Sequence, residues 1–378
     1  MMMRLTLTAK LKINPTQEQK LFLQSTLNSY KNGCNLVSAM VFDTHVLQQP
    51  VLHKKTYERL RSVCGLKSQM AQSVMKTVIA RYRTHQSNGH DWTKVVFKTP
   101  EYDLVWNRDY SLVNGLFSVN TVDGRIKIPF ETKGMERYFD EKWSFGTAKL
   151  VYKHNCFFLH IPMTKEVSEM NESSIQQVVG VDFGMNFLAT TYDSQGKSSF
   201  FNGRPIKHKH AHYKQLRKQL QRRQTASARQ RLKKIGQREN RWMQDVNHQV
   251  SKALVTQYGT NTLFVIEDLT GIRAATERVR LHHRYQSVSW TFFQLRKMLG
   301  YKASLQGSKV IAVDPSYTSQ TCPKCGHTEK ANRIKKKHTF QCKSCSYTSN
   351  DDRIGAMNLQ RKGIEYIVEV TTQACLVQ

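Results

Sequence analysis

Acidic residues are scarce in this sequence. Its 378 residues include 28 Asp and Glu against 58 Lys and Arg, so the formal net charge is +30 at pH 7. A charge of this size exceeds what solubility requires, and it opposes the compact state through self-repulsion. The excess predicts a polyanionic partner such as a nucleic acid. The alternative is an unusually basic surface that faces only solvent.

Long apolar runs are also missing. No stretch approaches the ~18 consecutive apolar residues that can span a membrane, and no amphipathic segment dominates the chain. The first four residues lead into an alternating polar and apolar segment, not into the apolar core of a signal peptide. We therefore expect neither a membrane partner nor a secretory leader.

The eight cysteines do not form a disulfide framework. Two C-x2-C pairs separated by sixteen residues account for half of them: Cys322, Cys325, Cys342 and Cys345. Four thiolates at this spacing can surround one tetrahedral Zn²⁺, and because they leave no open coordination position, they predict a structural ion. The other four cysteines are scattered along the chain, which favours a reducing compartment, the cytoplasm.

The first half of the chain combines helical segments with short strands. Residues 5–13 alternate apolar and polar side chains, which is typical of a half-buried strand. Residues 16–19 resemble a capping box that opens an amphipathic helix, and residues 71–82 carry a second helical stripe. From 95 to 162, Asn-Gly and Asp-Gly dipeptides between alternating segments indicate hairpins. These features predict a small β-barrel interrupted by a helical insertion, residues 14–89.

The second half alternates strands with helices. Residues 164–176 are polar and are predicted to link the two halves. Strands are predicted at 178–182, 188–192, 263–266 and 310–313, with a helix around Trp290, Phe293, Leu295 and Leu299. Such alternation is typical of an α/β domain.

The segment 204–241 is strongly basic, with 14 Lys and Arg but a single acid, Glu239. Sparse apolar anchors predict a pair of helices here, and the helical pattern continues to residue 258. A solvated helix face normally mixes both signs of charge, so this segment predicts contact with nucleic-acid phosphates. The candidate contacts are Lys214, Arg217, Lys218, Arg222, Arg223, Arg229, Arg231, Lys233 and Lys234.

Three acids occupy positions typical of functional groups in an α/β domain. Asp182 and Glu267 each end a strand, and Asp352 begins a helix. Converging carboxylates repel one another unless divalent cations neutralise them, and hard oxygen ligands select Mg²⁺ or Mn²⁺. Two such ions ~3.5–4 Å apart can support phosphodiester hydrolysis. The neighbouring Asp268 and Asp351 are set aside, because a shift of one residue turns the side chain to another face.

The order of these motifs resembles the TnpB family of transposon-encoded, RNA-guided DNA endonucleases, which is related to the type V CRISPR effectors. The resemblance rests on Val-Gly-Val-Asp-Phe-Gly at 179–184, Val-Ile-Glu-Asp-Leu at 265–269, Tyr-Thr-Ser-Gln-Thr-Cys-Pro-Lys-Cys-Gly at 317–326 and Asn-Asp-Asp-Arg-Ile-Gly-Ala-Met-Asn at 350–358. The N-terminal half fits the family more loosely. Ile354 and Ser346 depart from the family pattern, in which Asn and Gly are usual.

The resemblance implies a multidomain α+β protein. Its parts would be an RNase H-like (RuvC) nuclease domain with an inserted zinc ribbon, and an N-terminal wedge barrel interrupted by a helical recognition domain. The implied bounds are 1–13 and 90–170 for the wedge, 14–89 for the recognition domain, 171–320 and 349–378 for the nuclease domain with basic helices at 204–258, and 321–348 for the ribbon.

The resemblance also implies the chemistry. Asp182, Glu267 and Asp352 match the catalytic acids that bind two Mg²⁺ or Mn²⁺ ions, and the four cysteines match the ribbon that holds one Zn²⁺. Asp352 is preferred to Asp351 because it lies six residues before Asn358, as in the family pattern. A guide RNA derived from the transposon end would direct cleavage of double-stranded target DNA beside a short flanking motif.

Three other functions remain as alternatives. An RNA-guided repressor would bind without cutting, but it has no need for a repulsive cluster of acids. A transposase with an Asp, Asp, Glu site places its Glu last, whereas Glu267 lies between the two aspartates. A zinc-ribbon RNA-binding module leaves Asp182 and Glu267 unexplained. The sequence leaves the oligomeric state open, and we expect a monomer bound to its RNA.

Overall fold

The β-rich first half and the α/β second half of the chain fold as separate units. A computed structural model describes residues 2–132, 134–140, 142–268, 292–335 and 337–376. Contacts between residues divide the chain into one unit of residues 4–166 and another of residues 167–378 together with 1–3. Trp290, which the sequence predicts in a helix, lies outside the described residues.

The helices of the unit 4–166 begin at the predicted capping box. The Thr16 hydroxyl accepts a hydrogen bond from the Gln19 backbone N–H (3.3 Å), and the Gln19 side chain accepts one from the Thr16 N–H (3.0 Å). The apolar stripe that follows is buried, with Leu23 and Leu27 at most 1% exposed. The helices are α1 (Gln17–Thr44), α2 (Gln49–Ser62) and α3 (Ser68–Ser87).

The strands of this unit form an eight-stranded sheet that nearly closes into a barrel, as predicted. Two hairpins turn at Asn114-Gly115 and His154-Asn155, where all four residues have positive φ, the conformation of a tight hairpin loop. The last strand continues to Ser168, so the predicted linker 164–176 is wrong in its first residues. The strands are β1 (Met2–Ile13), β2 (Glu101–Leu104), β3 (Tyr110–Val113), β4 (Leu116–Thr121), β5 (Gly124–Glu131), β6 (Ser144–Phe145), β7 (Ala148–Lys153) and β8 (Cys156–Ser168).

The second unit contains a five-stranded sheet in the order β11-β10-β9-β12-β13. Strands β9, β12 and β13 are parallel, and β10 and β11 continue the sheet in antiparallel pairing. The predicted strands are confirmed. They are β9 (Gln177–Asp182), β10 (Phe187–Tyr192), β11 (Ser198–Asn202), β12 (Thr262–Glu267) and β13 (Lys309–Val313).

Helices cover both faces of this sheet. Leu254 and Leu295 pack with Phe264 in one core cluster, and Leu359 packs with Val265 in another. The predicted pair of basic helices is confirmed. None of the described helices is both long and apolar enough to cross a membrane. The helices are α4 (Arg204–Arg223), α5 (Ala226–Tyr258), α6 (Phe292–Leu305) and α7 (Asp351–Leu376).

Helix α7 lies unusually close to the sheet. A Cβ atom added at Gly180 would come within 2.0 Å of the Ala356 carbonyl oxygen, and one added at Gly363 would come within 2.4 Å of Val265 Cγ2. The missing side chains therefore permit a backbone approach that any larger residue would prevent. This packing places the N-terminus of α7 beside the carboxyl end of β9, where the predicted acids lie.

Candidate active site and basic helices

The structure brings Asp182, Glu267 and Asp352 to one edge of the five-stranded sheet. Asp182 and Glu267 end neighbouring parallel strands, which pair with Ile266 opposite Val181. The first turn of α7 lies against Asp182, since a Cβ atom at Gly355 would be 2.6 Å from Asp182 Oδ2. These side chains are far apart in the sequence, and the parallel strands and the close helix bring them together.

The position of Asp352 is fixed by a local cap. The Asn350 side chain accepts hydrogen bonds from the backbone N–H groups of Asp352 (3.0 Å) and Arg353 (3.1 Å), which starts helix α7. Asp352 is only 8% exposed, and its Oδ2 atom is buried without a hydrogen-bond partner among the described residues. A buried carboxylate oxygen left unpaired in this way calls for a ligand such as a cation.

Each of the three carboxyl groups resists ionisation. Loss of hydration raises the pKa of Asp182 well above its usual range, and the charges of Glu267 and Asp352 raise it further. Loss of hydration likewise raises the pKa of Glu267, while the Thr318 hydrogen bond opposes the rise. Burial also raises the pKa of Asp352, as does the charge of Asp351. Negative charge on the cluster is therefore unfavourable.

This donor set fits divalent cations with a preference for oxygen ligands. It offers carboxylates, a buried oxygen without a partner and mutual repulsion that a cation would relieve. Among the described residues, the acids do not form a group of three whose ligand atoms all lie within 4.8 Å of one another. Carboxylates that share two ions can lie farther apart than the ligands of a single ion.

Thr318 and Arg333, which the sequence did not indicate as site residues, affect the pKa values of the acids. Thr318, only 3% exposed, donates a hydrogen bond from its hydroxyl to Glu267 Oε1 (2.6 Å), and its carbonyl accepts one from Asn358 (2.7 Å). The Arg333 guanidinium lowers the pKa of Asp182, Glu267 and Asp352 against the larger effect of burial. Thr318 appeared in the sequence only within the family motif, and Arg333 gave no signal there.

The two acids that were set aside are paired with arginines. Asp351 Oδ2 lies 3.0 Å from Arg333 Nε, and the Asp351 side chain is fully buried. Asp268 Oδ1 lies 2.8 Å from Arg296 Nη1. Neither carboxylate resembles Asp352, whose buried oxygen has no such partner among the described residues.

The four cysteines form a compact group of potential metal ligands. Their Sγ atoms all lie within 4.8 Å of one another, and Cys322 and Cys345 are 3.6 Å apart. Burial opposes ionisation of Cys342, but hydrogen bonds from the backbone N–H groups of Cys345 and Ser344 lower the pKa of Cys342 to about 6. The backbone N–H of Tyr347 lowers the pKa of Cys345, but burial and hydrogen bonds with the other three thiols together raise it. Because the thiolate is the form that binds metal, the set could hold a zinc ion.

A small antiparallel sheet and two similar turns form the cysteine-containing segment. Gly326 and Ser346 occupy corresponding places after the two C-x2-C pairs, both with positive φ (76° and 58°). Each donates its backbone N–H to the carbonyl of the first cysteine of its pair, Cys322 or Cys342. Ser346 thus adopts a backbone conformation that glycine would adopt with less strain. The strands are β14 (Arg333–Ile334), β15 (Thr339–Gln341) and β16 (Thr348–Asn350).

The predicted phosphate contacts all lie on α4 and α5. The Arg217 guanidinium pairs with the buried Glu239 carboxylate. His210 Nδ1 also lies 2.8 Å from Glu239 Oε1. The single acid of the basic segment therefore joins the two helices.

Two parts of the chain match protein-family models. Residues 160–276 match the family described as "Probable transposase", and residues 292–359 match the TNB domain of Cas12f1-like proteins. A TnpB-like protein of Methanocaldococcus jannaschii is 26% identical over 248 residues, which cover 63% of this chain and 86% of that protein. The chain is similar to the TnpB-like proteins.

The resemblance to TnpB that the sequence motifs predict is therefore confirmed. A CRISPR-associated endodeoxyribonuclease Cas12f1 of Sulfoacidibacillus thermotolerans is 36% identical to this chain over 125 residues, 32% of this chain but only 28% of that protein. The solved structure of a Cas12f1–sgRNA–target DNA complex matches with a TM-score of 0.61 and 12% identity, covering 94% of this chain and 99% of that chain. At this identity, the match establishes a shared multidomain α+β fold.

Removing the charge of Asp182 is expected to stabilise the protein when Mg²⁺ and Mn²⁺ are absent. A carboxyl group with a raised pKa in the folded state binds more protons when folded than when unfolded, so stability falls as the pH rises above the ordinary pKa of 3.8. We expect Asp182→Asn to melt a few degrees above wild type at pH 8, with the difference shrinking towards pH 4. Thermal melts across this range measure it.

Added Mg²⁺ provides the control for that prediction. The ion should raise the melting temperature of the wild-type protein more than that of Asp182→Asn, because a ligand of the folded carboxylate cluster stabilises the folded state. A variant that melts below wild type at pH 8 without the ion would contradict the assignment of repulsion to this cluster.

Proposed function

We propose that this TnpB relative is an RNA-guided DNA endonuclease with a RuvC-like active site at Asp182, Glu267 and Asp352. The observation that carries the proposal is the grouping of three carboxylates, in which Glu267 and Asp352 act on Asp182 and the buried Asp352 Oδ2 lacks a partner among the described residues. The names of the matched relatives, TnpB-like protein and Cas12f1 endodeoxyribonuclease, support the same activity. The proposed substrate is double-stranded DNA beside a short flanking motif, recognised by pairing with a transposon-derived guide RNA.

In this proposal, Asp182, Glu267 and Asp352 would hold two Mg²⁺ or Mn²⁺ ions. When bound, such ions promote attack of water on a phosphodiester and stabilise the leaving oxygen. The chain contributes the preorganised carboxylates: Thr318 orients Glu267, and the Asn350 cap holds Asp352 at the start of α7. Arg333 reduces the repulsion within the cluster before a cation binds.

The remaining parts would serve binding and stability. The segments 1–13 and 90–170 would form the wedge, and 14–89 the recognition domain. The nuclease domain would comprise 171–320 and 349–378, with the ribbon at 321–348 held by one structural Zn²⁺ on Cys322, Cys325, Cys342 and Cys345 in the reducing cytoplasm. Helices α4 and α5 would contact nucleic-acid phosphates, since they carry all 14 Lys and Arg of the basic segment.

The proposal is tested by identifying the bound RNA and then its target. RNA that copurifies with the protein is sequenced, and the complex is incubated with plasmids that carry the matching target beside a randomised flank. The expected result is Mg²⁺-dependent linearisation of plasmids that share a short flanking motif. Target binding without any cleavage would overturn the endonuclease assignment and favour a repressor.

A further inference from the structure

A groove lies between helices α4 and α5, and contact with phosphates at the helix surface does not require such a groove. The groove is a cavity of about 660 Å³, within the ~300–1,000 Å³ range of pockets for small ligands. Its walls are two helical stripes with spacings of three and four residues, so one face of each helix lines it. The lining residues are Lys209, His212, Tyr213 and Leu216 on α4, and Ser227, Gln230, Arg231, Lys234, Ile235 and Arg238 on α5.

The groove is suited to an anion. Four of its lining residues are the cations Lys209, Arg231, Lys234 and Arg238, and none of the described lining residues is acidic. The nearest acid in the sequence, Glu239, is buried and pairs with groups on α4. A phosphate in the groove would therefore meet positive charge on both walls without an opposing carboxylate.

The groove also offers surfaces for a planar, partly apolar group. Tyr213 is half-buried, and the side chains of Leu216 and Ile235 pack in the same cluster. The centroids of the Tyr213 and Trp242 rings are 6.2 Å apart. Lys209 Nζ lies over the Trp242 ring, 4.4 Å from its centroid. An aromatic ring beside apolar side chains and cations is the combination on which unpaired nucleobases stack.

We propose that the groove between α4 and α5 binds one unpaired nucleotide, with its base against Tyr213 and its phosphate between Arg231, Lys234 and Arg238. A duplex presents its phosphates on the outside and keeps its bases stacked, so it would use the exposed cations but not the cavity. This inference rests on the proposed nucleic-acid function and assigns a specific role within it. The nucleotide belongs to a single strand, either the guide RNA or a DNA strand displaced from the target.

The test compares single-stranded and duplex binding by the full-length protein after bound RNA is removed. Fluorescence anisotropy measures the affinity for a labelled 12-nucleotide RNA, the DNA of the same sequence and the corresponding blunt duplexes. Loss of one stacked base predicts that Tyr213→Ala weakens single-strand binding about 5- to 150-fold and duplex binding less than twofold. Tyr213→Phe keeps the ring and should bind as wild type does.

Two lysines on α5 provide a matched pair. Lys234 lines the groove, whereas its exposed neighbour Lys233 does not. We expect Lys234→Ala to lower the ratio of single-strand to duplex affinity, and Lys233→Ala to change both affinities by the same factor. Retained duplex binding by Tyr213→Ala would show that the helices remain folded. A larger loss of affinity for RNA would identify the guide RNA as the source of the nucleotide, and a larger loss for DNA would identify the displaced DNA strand.

Equal losses for single strands and duplexes in Tyr213→Ala and Lys234→Ala would overturn the groove as a nucleotide site. That outcome is distinguishable from failure of the proposed function, which is measured as target cleavage by the wild-type protein with its copurified RNA. Cleavage together with equal losses would refute the groove alone. Selective losses without any cleavage would support the groove and refute the nuclease.

Discussion

Glu267→Gln is expected to abolish cleavage of target DNA while the guide RNA stays bound. The substitution keeps the shape of the side chain and an oxygen that can accept the Thr318 hydrogen bond (2.6 Å in the wild type), but it removes the negative charge. A metal ion contributes several kcal/mol to phosphodiester cleavage, so weakening its site should lower the rate by ~10³-fold or more. Cleavage of a matched plasmid under single-turnover conditions measures this loss.

The adjacent Asp268 offers a matched control. Asp268→Asn removes a charge one residue away, from a carboxylate that pairs with Arg296 at 2.8 Å and is not part of the proposed metal site. We expect its cleavage rate to stay within a few-fold of wild type, with RNA content equal in all three proteins. Cutting by Glu267→Gln at the wild-type rate would remove Glu267 from the active site.

Cys342→Ser is expected to release the zinc ion and unfold the ribbon. Structural zinc sites contribute about 10–16 kcal/mol of apparent binding free energy, and in domains this small binding is coupled to folding. The ribbon strands also carry Arg333 and the Asn350 cap of α7, so their loss should displace Asp352. We therefore expect less than one zinc per chain, protease cleavage within 321–348 and strongly reduced DNA cleavage.

The scattered Cys64 provides the comparison for that variant. Its thiol is half-buried in the unit 4–166 and lies outside the four-cysteine group. Cys64→Ser should retain one zinc per chain by elemental analysis, together with the protease resistance of the wild-type ribbon. A full zinc content in Cys342→Ser would show that this thiolate is not a ligand.

Features set by neighbouring residues could be read from the sequence. The capping box at 16–19 and the Asn-Gly hairpin depend on hydrogen bonds and φ angles within a few residues, and both are present. Helix α2 lies within the predicted helical insertion 14–89, but its bounds were not predicted, because Leu52, Thr56 and Leu60 are its only buried residues. Such a narrow stripe gives little helical periodicity.

The candidate site was only partly predictable for a related reason. Asp182, Glu267 and Asp352 stand at ends of elements, so their positions could be inferred from strand and helix patterns. The pairing of Arg333 with Asp351 arises from tertiary packing and leaves no periodic signal. The close approach of α7 at Gly180 likewise depends on how a helix meets a sheet formed by distant segments.

Counting bound Mn²⁺ tests most directly whether the three acids form a metal site. Electron paramagnetic resonance measures free Mn²⁺ in titrations of the protein–RNA complex, for wild type and for the double variant Asp182→Asn/Glu267→Gln with equal RNA content. The wild-type complex is predicted to hold about two more Mn²⁺ ions than the variant, as a two-ion nuclease site requires. Equal numbers of bound ions in the two complexes would contradict the proposed active site.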